Sequence, residues 1–366
     1  MKKIDIGALD LRNPEDPEEF LDASFEMTDD YVMTTEVDLI TLPDADGERI
    51  RVLTNGNIML LVSPQGTGKT AVAEAIAAAA LNGQADAFGF KVNLSSSERV
   101  LLIDTERTKN DMSRGWKRIV KRGSLWKMKE KYFTGNKITR LKMVSYKFLE
   151  DIKDCIPHLK VHAKEGFRLI IIDVVTDFLG SINDELAARA FVKDLMKIAE
   201  ESDCGIVCTI HPNPKDKDYK ARGHIGSELQ NKAESVFACF RADDNTRVIT
   251  TDFSQGKNRN GGDKLNTAFM WDKDKGMHVS VFLSEEIKKK VNKEYLEFDV
   301  IIETLYNTKN SYSESELLNA FKQELNREEL DFEYIENYIK ERNSLEKNGF
   351  DSLWYKKEVG QTEVPF

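Results

Sequence analysis

The sequence predicts an α/β fold: a mostly parallel central sheet flanked by helices, followed by a small, mainly helical C-terminal unit in winged-helix-like order. Three observations carry this expectation. Between about residues 31 and 284, short apolar runs of β type alternate with helical stretches, the pattern of crossover units. A glycine-rich turn joins one of those runs to an alanine-rich helix. From about 285 the pattern changes to helices followed by a turn signal. With 366 residues, 40% hydrophobic and 32% charged, the chain is too long for one small core and too apolar for disorder.

Three regions follow in order. Residues 1–30 are acidic and marked by Pro14 and Pro17, with little apolar periodicity, which suggests a flexible arm or a short helix lying on a partner. Residues 31–284 are expected to form the α/β core. Its strand and helix pairs are Asn57–Ser63 with Thr70–Leu81, Val100–Asp104 with Asn110–Arg122, and Arg168–Asp173 with Leu186–Glu201, and the strand Gly205–Ile210 comes next. Ser235–Phe240, Val248–Thr251 and Thr267–Asp272 are expected to extend the sheet once the crossovers end. Residues 285–366 predict helices Glu297–Tyr306, Ser313–Glu324 and Asp331–Asn343, then a hairpin Ser344–Lys357 turning at Asn348-Gly349.

No run of about 18 apolar residues occurs, and no apolar stretch follows Lys2 and Lys3, so neither a membrane span nor a secretory signal is expected. Cys155, Cys204, Cys208 and Cys239 are scattered among apolar neighbours, as reduced core thiols of a cytoplasmic protein would be. His158 and His162 have the i, i+4 spacing of a metal pair but no third ligand at motif spacing, so no zinc site is expected.

The net charge of −10 argues against a nucleic-acid partner until it is divided. Residues 1–50 hold 15 acids and 4 bases, and residues 285–366 hold 19 and 12, which leaves the middle at +8. Within it, Arg107 to Lys147 carries 14 Lys/Arg against Asp111 and Glu130, interleaved with aromatic residues. That composition suits phosphate contact, and equally a solvated helical face.

The sharpest chemical signal is Ser63-Pro64-Gln65-Gly66-Thr67-Gly68-Lys69-Thr70-Ala71 at the end of an apolar strand. Backbone N–H groups of such a turn, at a helix N-terminus, cradle phosphate oxygens. Lys69 is expected to neutralise the terminal phosphates of ATP, and Thr70 to ligate Mg²⁺ through its hydroxyl. Ser63 stands where the usual pattern has glycine. Hydrolysis also needs acids at strand ends. Asp173, closing Leu169-Ile170-Ile171-Ile172, is expected to hold the metal directly or through water. Glu106, in Ile103-Asp104-Thr105-Glu106, is the candidate base for water, with Asp104 as its rival.

The order of phosphate loop, IDTE, IIIDVVTDF and TIHPN resembles the RecA-like P-loop ATPases, most of all the RepA-type and DnaB-type ring helicases. The stretch Ala221 to Leu229, with Asn231 to Glu234, is similar to one shared by RepA-like ATPases of mobile elements. This resemblance implies Glu106 as catalytic glutamate and Asp173 as metal-site aspartate, and RepA-type helicases also tolerate a small residue at the position of Ser63. It further implies that His211 senses the γ-phosphate, and that Lys257 and Arg259, in Gly256-Lys257-Asn258-Arg259-Asn260-Gly261-Gly262, reach a neighbouring subunit's nucleotide. Hydrolysis would then require a homo-oligomer, expected as a hexamer.

Lys215, Lys217, Lys220 and Arg222 follow Pro212 and Pro214 and suit either a channel loop that grips single-stranded DNA or a plain mobile surface loop. The C-terminal unit is net negative, so protein contact is as well supported there as DNA, although Lys340, Arg342, Lys356 and Lys357 offer a basic edge. The expected function is a Mg²⁺-dependent ATPase acting on nucleic acid, as a helicase of a plasmid, phage or mobile element. The alternatives are a recombination or partition ATPase that does not unwind, and a KaiC-like regulator of proteins.

Overall fold

The computed structural model describes residues 36–44, 47–128, 131, 133–134, 137–147, 155–214, 219–242, 245–261, 265–282, 298, 301–302, 304–325, 330–342, 345–347 and 352–356; the acidic segment 1–30 lies outside them. Strands β1 (Asp38–Pro43) and β2 (Arg49–Thr54) pair antiparallel. Strand β3 (Ile58–Val62) leads into α1 (Lys69–Leu81), after which β4 (Lys91–Val92) joins β1 in a sheet of order β2-β1-β4.

The chain continues through β5 (Arg99–Asp104), α2 (Lys109–Arg122), a small hairpin β6 (Phe133–Thr134) and β7 (Lys137–Ile138), then β8 (Leu141–Ser145) and α3 (Cys155–Lys164). There follow β9 (Phe167–Asp173), α4 (Glu185–Glu201), β10 (Gly205–Ile210), α5 (Gly223–Lys232) and β11 (Ser235–Arg241). Last in this unit are β12 (Thr246–Thr250), β13 (Lys257–Asn258), β14 (Asn266–Asp272) and β15 (Met277–Val281). The large sheet has the order β15-β14-β12-β11-β3-β10-β9-β5-β8, with β13 beside β11. The six strands from β11 to β8 run parallel, and β12, β14 and β15 extend them antiparallel.

The central strands read as unbroken apolar runs because both their faces are covered. The period of two sorts them cleanly. Met59, Leu61, Leu169 and Ile171 join the core under α1 and α2, while Leu60, Val62, Ile170 and Ile172 join the one under α3, α4 and α5. Helix α1, Lys-Thr-Ala-Val-Ala-Glu-Ala-Ile-Ala-Ala-Ala-Ala-Leu, is buried nearly all round, and its alanines let it lie close on the sheet.

The expected strands and helices of the core are present within a few residues of their predicted ends. Among the elements additional to them are β1, β2, β8 and α3. Among the described residues, strand β8 is the parallel edge, paired with β5, and its half-buried Leu-Lys-Met-Val-Ser lacks the continuous apolar signal of its neighbours.

In the C-terminal region, β16 (Ser311–Tyr312), α6 (Glu314–Leu325), α7 (Phe332–Arg342), β17 (Leu345–Lys347) and β18 (Trp354–Lys356) form a sheet of order β16-β18-β17 with two helices. Phe298, Leu317, Phe321, Ile335, Tyr338 and Trp354 belong to a core of their own. Parts of the first expected helix, the Asn348-Gly349 turn and Lys357 lie outside the described residues.

Candidate functional site

The loop from Ser63 to Gly68 leaves β3 at the C-terminal end of the parallel sheet and enters α1. Gly68 is the helix N-cap with φ 110°, and no side chain caps the helix, so its first N–H groups face the loop. Glycine is required there twice over, by the left-handed backbone and because a Cβ would meet the Phe269 ring at 2.9 Å. Ser63 is buried and hydrogen-bonded to the Thr67 hydroxyl, which donates to the Pro64 carbonyl at 2.7 Å. A serine thus braces the turn from inside.

Lys69 folds back over the loop. Its Nζ donates to the carbonyls of Ser63 at 3.1 Å and Pro64 at 3.2 Å, and lies 3.1 Å from His211 Nδ1. Burial lowers its pKa, while the Asp173 and Glu106 carboxylates oppose that shift. Thr70 Oγ1 donates to Asp173 Oδ2 at 2.6 Å, and Thr209 Oγ1 donates to Oδ1 at 2.6 Å. Both oxygens of this buried carboxylate are therefore occupied. Burial raises the pKa of Asp173 against its two hydroxyl donors, and the Asp104 carboxylate adds to the rise.

Glu106 and Asp104 are separated by their surroundings. Asp104 is 1% exposed; it accepts from the Glu106 and Arg107 backbone N–H groups at 3.1 and 2.6 Å and from Arg107 Nε. The Glu106 side chain is 52% exposed, with Oε1 3.6 Å from His211 Nε2. The facing His211 ring lowers the pKa of Glu106 against partial burial, and the charges of Lys69 and Lys147 add to the effect. His211, just past β10, thus bridges Lys69 and Glu106 with its two ring nitrogens.

These groups wall a cleft of about 360 Å³ floored by Gly66, Gly68, Lys69, Thr70 and Ala71. Glu106 and His211 stand among its walls, and Glu74, Arg118, Trp271 and His278 complete it. Trp271 is 42% exposed and meets the His278 ring edge-to-face at 5.2 Å. Burial, aided by Arg247, Arg122 and Arg118, holds the His278 pKa down at about 4, so its ring is neutral at pH 7. Sequence reasoning missed these last four residues. They come from α1, α2, β14 and β15, and only the folded sheet joins them.

A Mg²⁺ ion prefers hard oxygen donors, and the Thr70 hydroxyl backed by Asp173 supplies them beside the phosphate loop. Lys257 and Arg259 do not line this cleft. Lys257 pairs with Val236 on β11, and Lys257 Nζ and Arg259 Nη2 donate to the Asn231 carbonyl at the end of α5, at 2.9 and 3.2 Å. Burial, with Arg259 nearby, lowers the Lys257 pKa to about 8. Arg222 precedes α5, its N–H donating to the His211 carbonyl at 2.9 Å. It lines a second cavity of about 580 Å³ with Thr105, Lys147, Asp177 and Ser181. Lys220 lies just before it, while Lys215 and Lys217 lie outside the described residues.

The strand order, the loop and the acids at the strand ends define the class: a P-loop nucleotide-binding fold of RecA-like arrangement. Residues 44–217 are similar to the family described as an AAA domain, a match that spans the loop, Glu106, Asp173 and His211. No curated protein matches. Among solved structures, the chain is similar to one titled crystal structure of the RadB recombinase, at 14% identity over 63% of this chain and 93% of that one, with TM-score 0.41. It is also similar to a second solved structure, whose title describes an ATPase domain, at 15% identity over 62% of this chain and 86% of that one, with TM-score 0.43.

Proposed function

We propose that this chain is a Mg²⁺-dependent ATPase acting on nucleic acid, working as a ring-forming helicase of the RepA and DnaB kind. The observation that carries the reading is the bridge Lys69–His211–Glu106 beside Thr70 and Asp173. A mere phosphate-binding loop needs no carboxylate placed beside its lysine and open to water; a hydrolase needs one to take the proton of the attacking water.

Loop N–H groups and Lys69 bind the phosphates, and Lys69 exchanges its loop carbonyls for phosphate oxygens as they arrive. Thr70, with Asp173 hydrogen-bonded behind it, would hold a Mg²⁺ ion, which when bound would supply charge neutralisation on those oxygens. Glu106 takes the proton of the attacking water, and His211 keeps its carboxylate oriented and ionised. The Trp271 face, next to the neutral His278 ring, offers the base a flat apolar wall. Lys257 and Arg259 act on the nucleotide of a neighbouring subunit, in a hexamer, and Lys220 and Arg222 with the segment before them contact single-stranded DNA. The acidic arm and the winged-helix-like C-terminal domain then serve assembly or partner contact, a role in keeping with their negative charge.

The test is steady-state ATP hydrolysis alone, with single-stranded DNA and with duplex, at fixed low salt. Several-fold stimulation by single strands, falling as salt rises through counterion release, supports the reading. Hydrolysis indifferent to any nucleic acid would reject it in favour of an ATPase directed at proteins. Stimulation without strand displacement would leave a non-unwinding DNA ATPase.

A further inference from the structure

Glu74 sits on α1, one turn beyond Thr70, and is almost wholly buried. Its carboxylate receives Arg107 Nη1 at 2.6 Å and Arg118 Nε and Nη2 at 2.7 and 2.8 Å. Arg107 turns its Nε to Asp104, the residue that also accepts the backbone N–H groups of Glu106 and Arg107. A chain of buried charges therefore runs from the helix that carries Lys69 and Thr70 to the turn that carries Glu106. Helix α2 closes over it only because residue 115 is glycine; a Cβ there would press on the Glu74 carboxylate and lie 2.6 Å from Arg107 Nη1.

We infer that Arg107, held between Asp104 and Glu74, is a positioning residue for hydrolysis. It fixes the turn after β5 at a set distance from the phosphate loop, so that the Glu106 carboxylate stands beside His211 and not elsewhere in solvent. The inference rests on Glu106 being the base.

Three features support a role beyond stability. The Glu106 side chain itself is half exposed, and within the cleft its contact is His211 at 3.6 Å, so its aim comes from the backbone of its own turn. That backbone is tied to Asp104, and Asp104 to Arg107. The fork of Arg107 spans two carboxylates from different elements, a geometry that a lysine's single nitrogen does not reproduce. Burial works against the charge of Arg107, yet Asp104 and Glu74 outweigh it and raise its pKa, so the clamp holds at any working pH.

The experiment uses the full chain with Arg107→Lys and Gly115→Ala, each alone and each combined with Glu106→Gln, in single-turnover and steady-state hydrolysis with nucleotide affinity measured alongside. Gly115→Ala displaces the ion cluster without removing a charge, which covers the case in which Arg107→Lys folds poorly. Displacing a catalytic group by about an ångström costs on the order of 100-fold, so each single variant should lose roughly 10- to 100-fold in kcat with KM and nucleotide Kd within about twofold. In the Glu106→Gln background the same changes should cost nothing further, because a residue acting through Glu106 has nothing left to act on. Equal losses in both backgrounds, a loss carried by affinity, or no loss at all would overturn the assignment. Hydrolysis at the wild-type rate in Glu106→Gln alone is a different failure, that of the base itself, and the clamp would fall with it.

Discussion

Asp173→Asn separates what a carboxylate does for the fold from what it does for the metal. Both oxygens of Asp173 accept short hydroxyl hydrogen bonds, from Thr70 and Thr209. Hydrogen bonds to a charged group contribute about 1.5–3 kcal/mol each, while taking an ion out of water costs several kcal/mol. At 3% exposure the two nearly cancel, and the raised pKa says that burial has the upper hand. Asparagine keeps one acceptor oxygen, lets its amide donate to the other hydroxyl, and removes the desolvation cost. The net change in stability should thus lie within about 1–2 kcal/mol of zero, which is roughly 2–8 °C in Tm for a domain of this size. The metal loses more. A carboxylate behind a ligand is worth about 10- to 100-fold in metal affinity, so the Mg²⁺ concentration for half-maximal hydrolysis should rise by that factor. The assay is a Mg²⁺ titration of ATP hydrolysis beside a thermal melt of the nucleotide-free protein. An unchanged Mg²⁺ midpoint, or a fall in Tm well beyond about 10 °C, would refute the reasoning, because Asp173 would then be a structural anion.

Glu106→Gln should retain nucleotide binding and lose about 100-fold or more in hydrolysis, measured as turnover against equilibrium affinity; equal rates would reject the base assignment. Trp271→Ala should weaken ATP about tenfold while leaving tripolyphosphate binding unchanged, and Trp271→Phe should restore most of the difference, by titration calorimetry. An equal loss for both ligands would remove the base wall. Burial lowers the Lys257 pKa to about 8 in the lone chain and a neighbour's phosphates would raise it, so hydrolysis at subsaturating ATP, which reports the free-state group, should decline as pH rises through about 8, and Lys257→Arg should remove that decline. A basic limb identical in both proteins would exclude Lys257 from the site.

The legible part of this fold was what repeats along the chain. Ile58-Met59-Leu60-Leu61-Val62 and Leu169-Ile170-Ile171-Ile172 are apolar on both faces because helices cover both sides, and that continuous signal gave the parallel strands and their carboxyl ends. The loop residues were legible for a different reason: Gly66 to Thr70 must follow one another for their N–H groups to converge. What the sequence hid was set by long-range contact or by weak local signal. Glu74 reads as an ordinary helical surface acid until Arg107 and Arg118 are folded against it. Trp271 and His278 lie about 200 residues from Thr70 and reach it only through the antiparallel extension of the sheet. Strand β8 hides because an edge strand with Lys142 and Ser145 need not be apolar on both faces.

The position of Lys257 bears directly on why one subunit would be insufficient. Lys257 stands opposite Val236, and Val236 opposite Leu60, three residues before the phosphate loop begins at Ser63. At about 3.3 Å per residue along the strand, Lys257 starts roughly 10 Å behind the loop, two strands aside. Its Nζ, with an Arg259 guanidinium nitrogen, is engaged by the Asn231 carbonyl at the C-terminal end of α5, where the helix dipole favours cations. Within its own chain, then, the pair has a satisfied resting place and stands outside the lining of the cleft. A cation held half-buried at a pKa near 8 is one whose charge is only moderately favoured where it rests, so a neighbour's phosphates offer it a stronger partner than Asn231 does. On the proposed reading, that difference would make assembly and catalysis one event, with the nucleotide of another subunit as the anion that Lys257 and Arg259 meet.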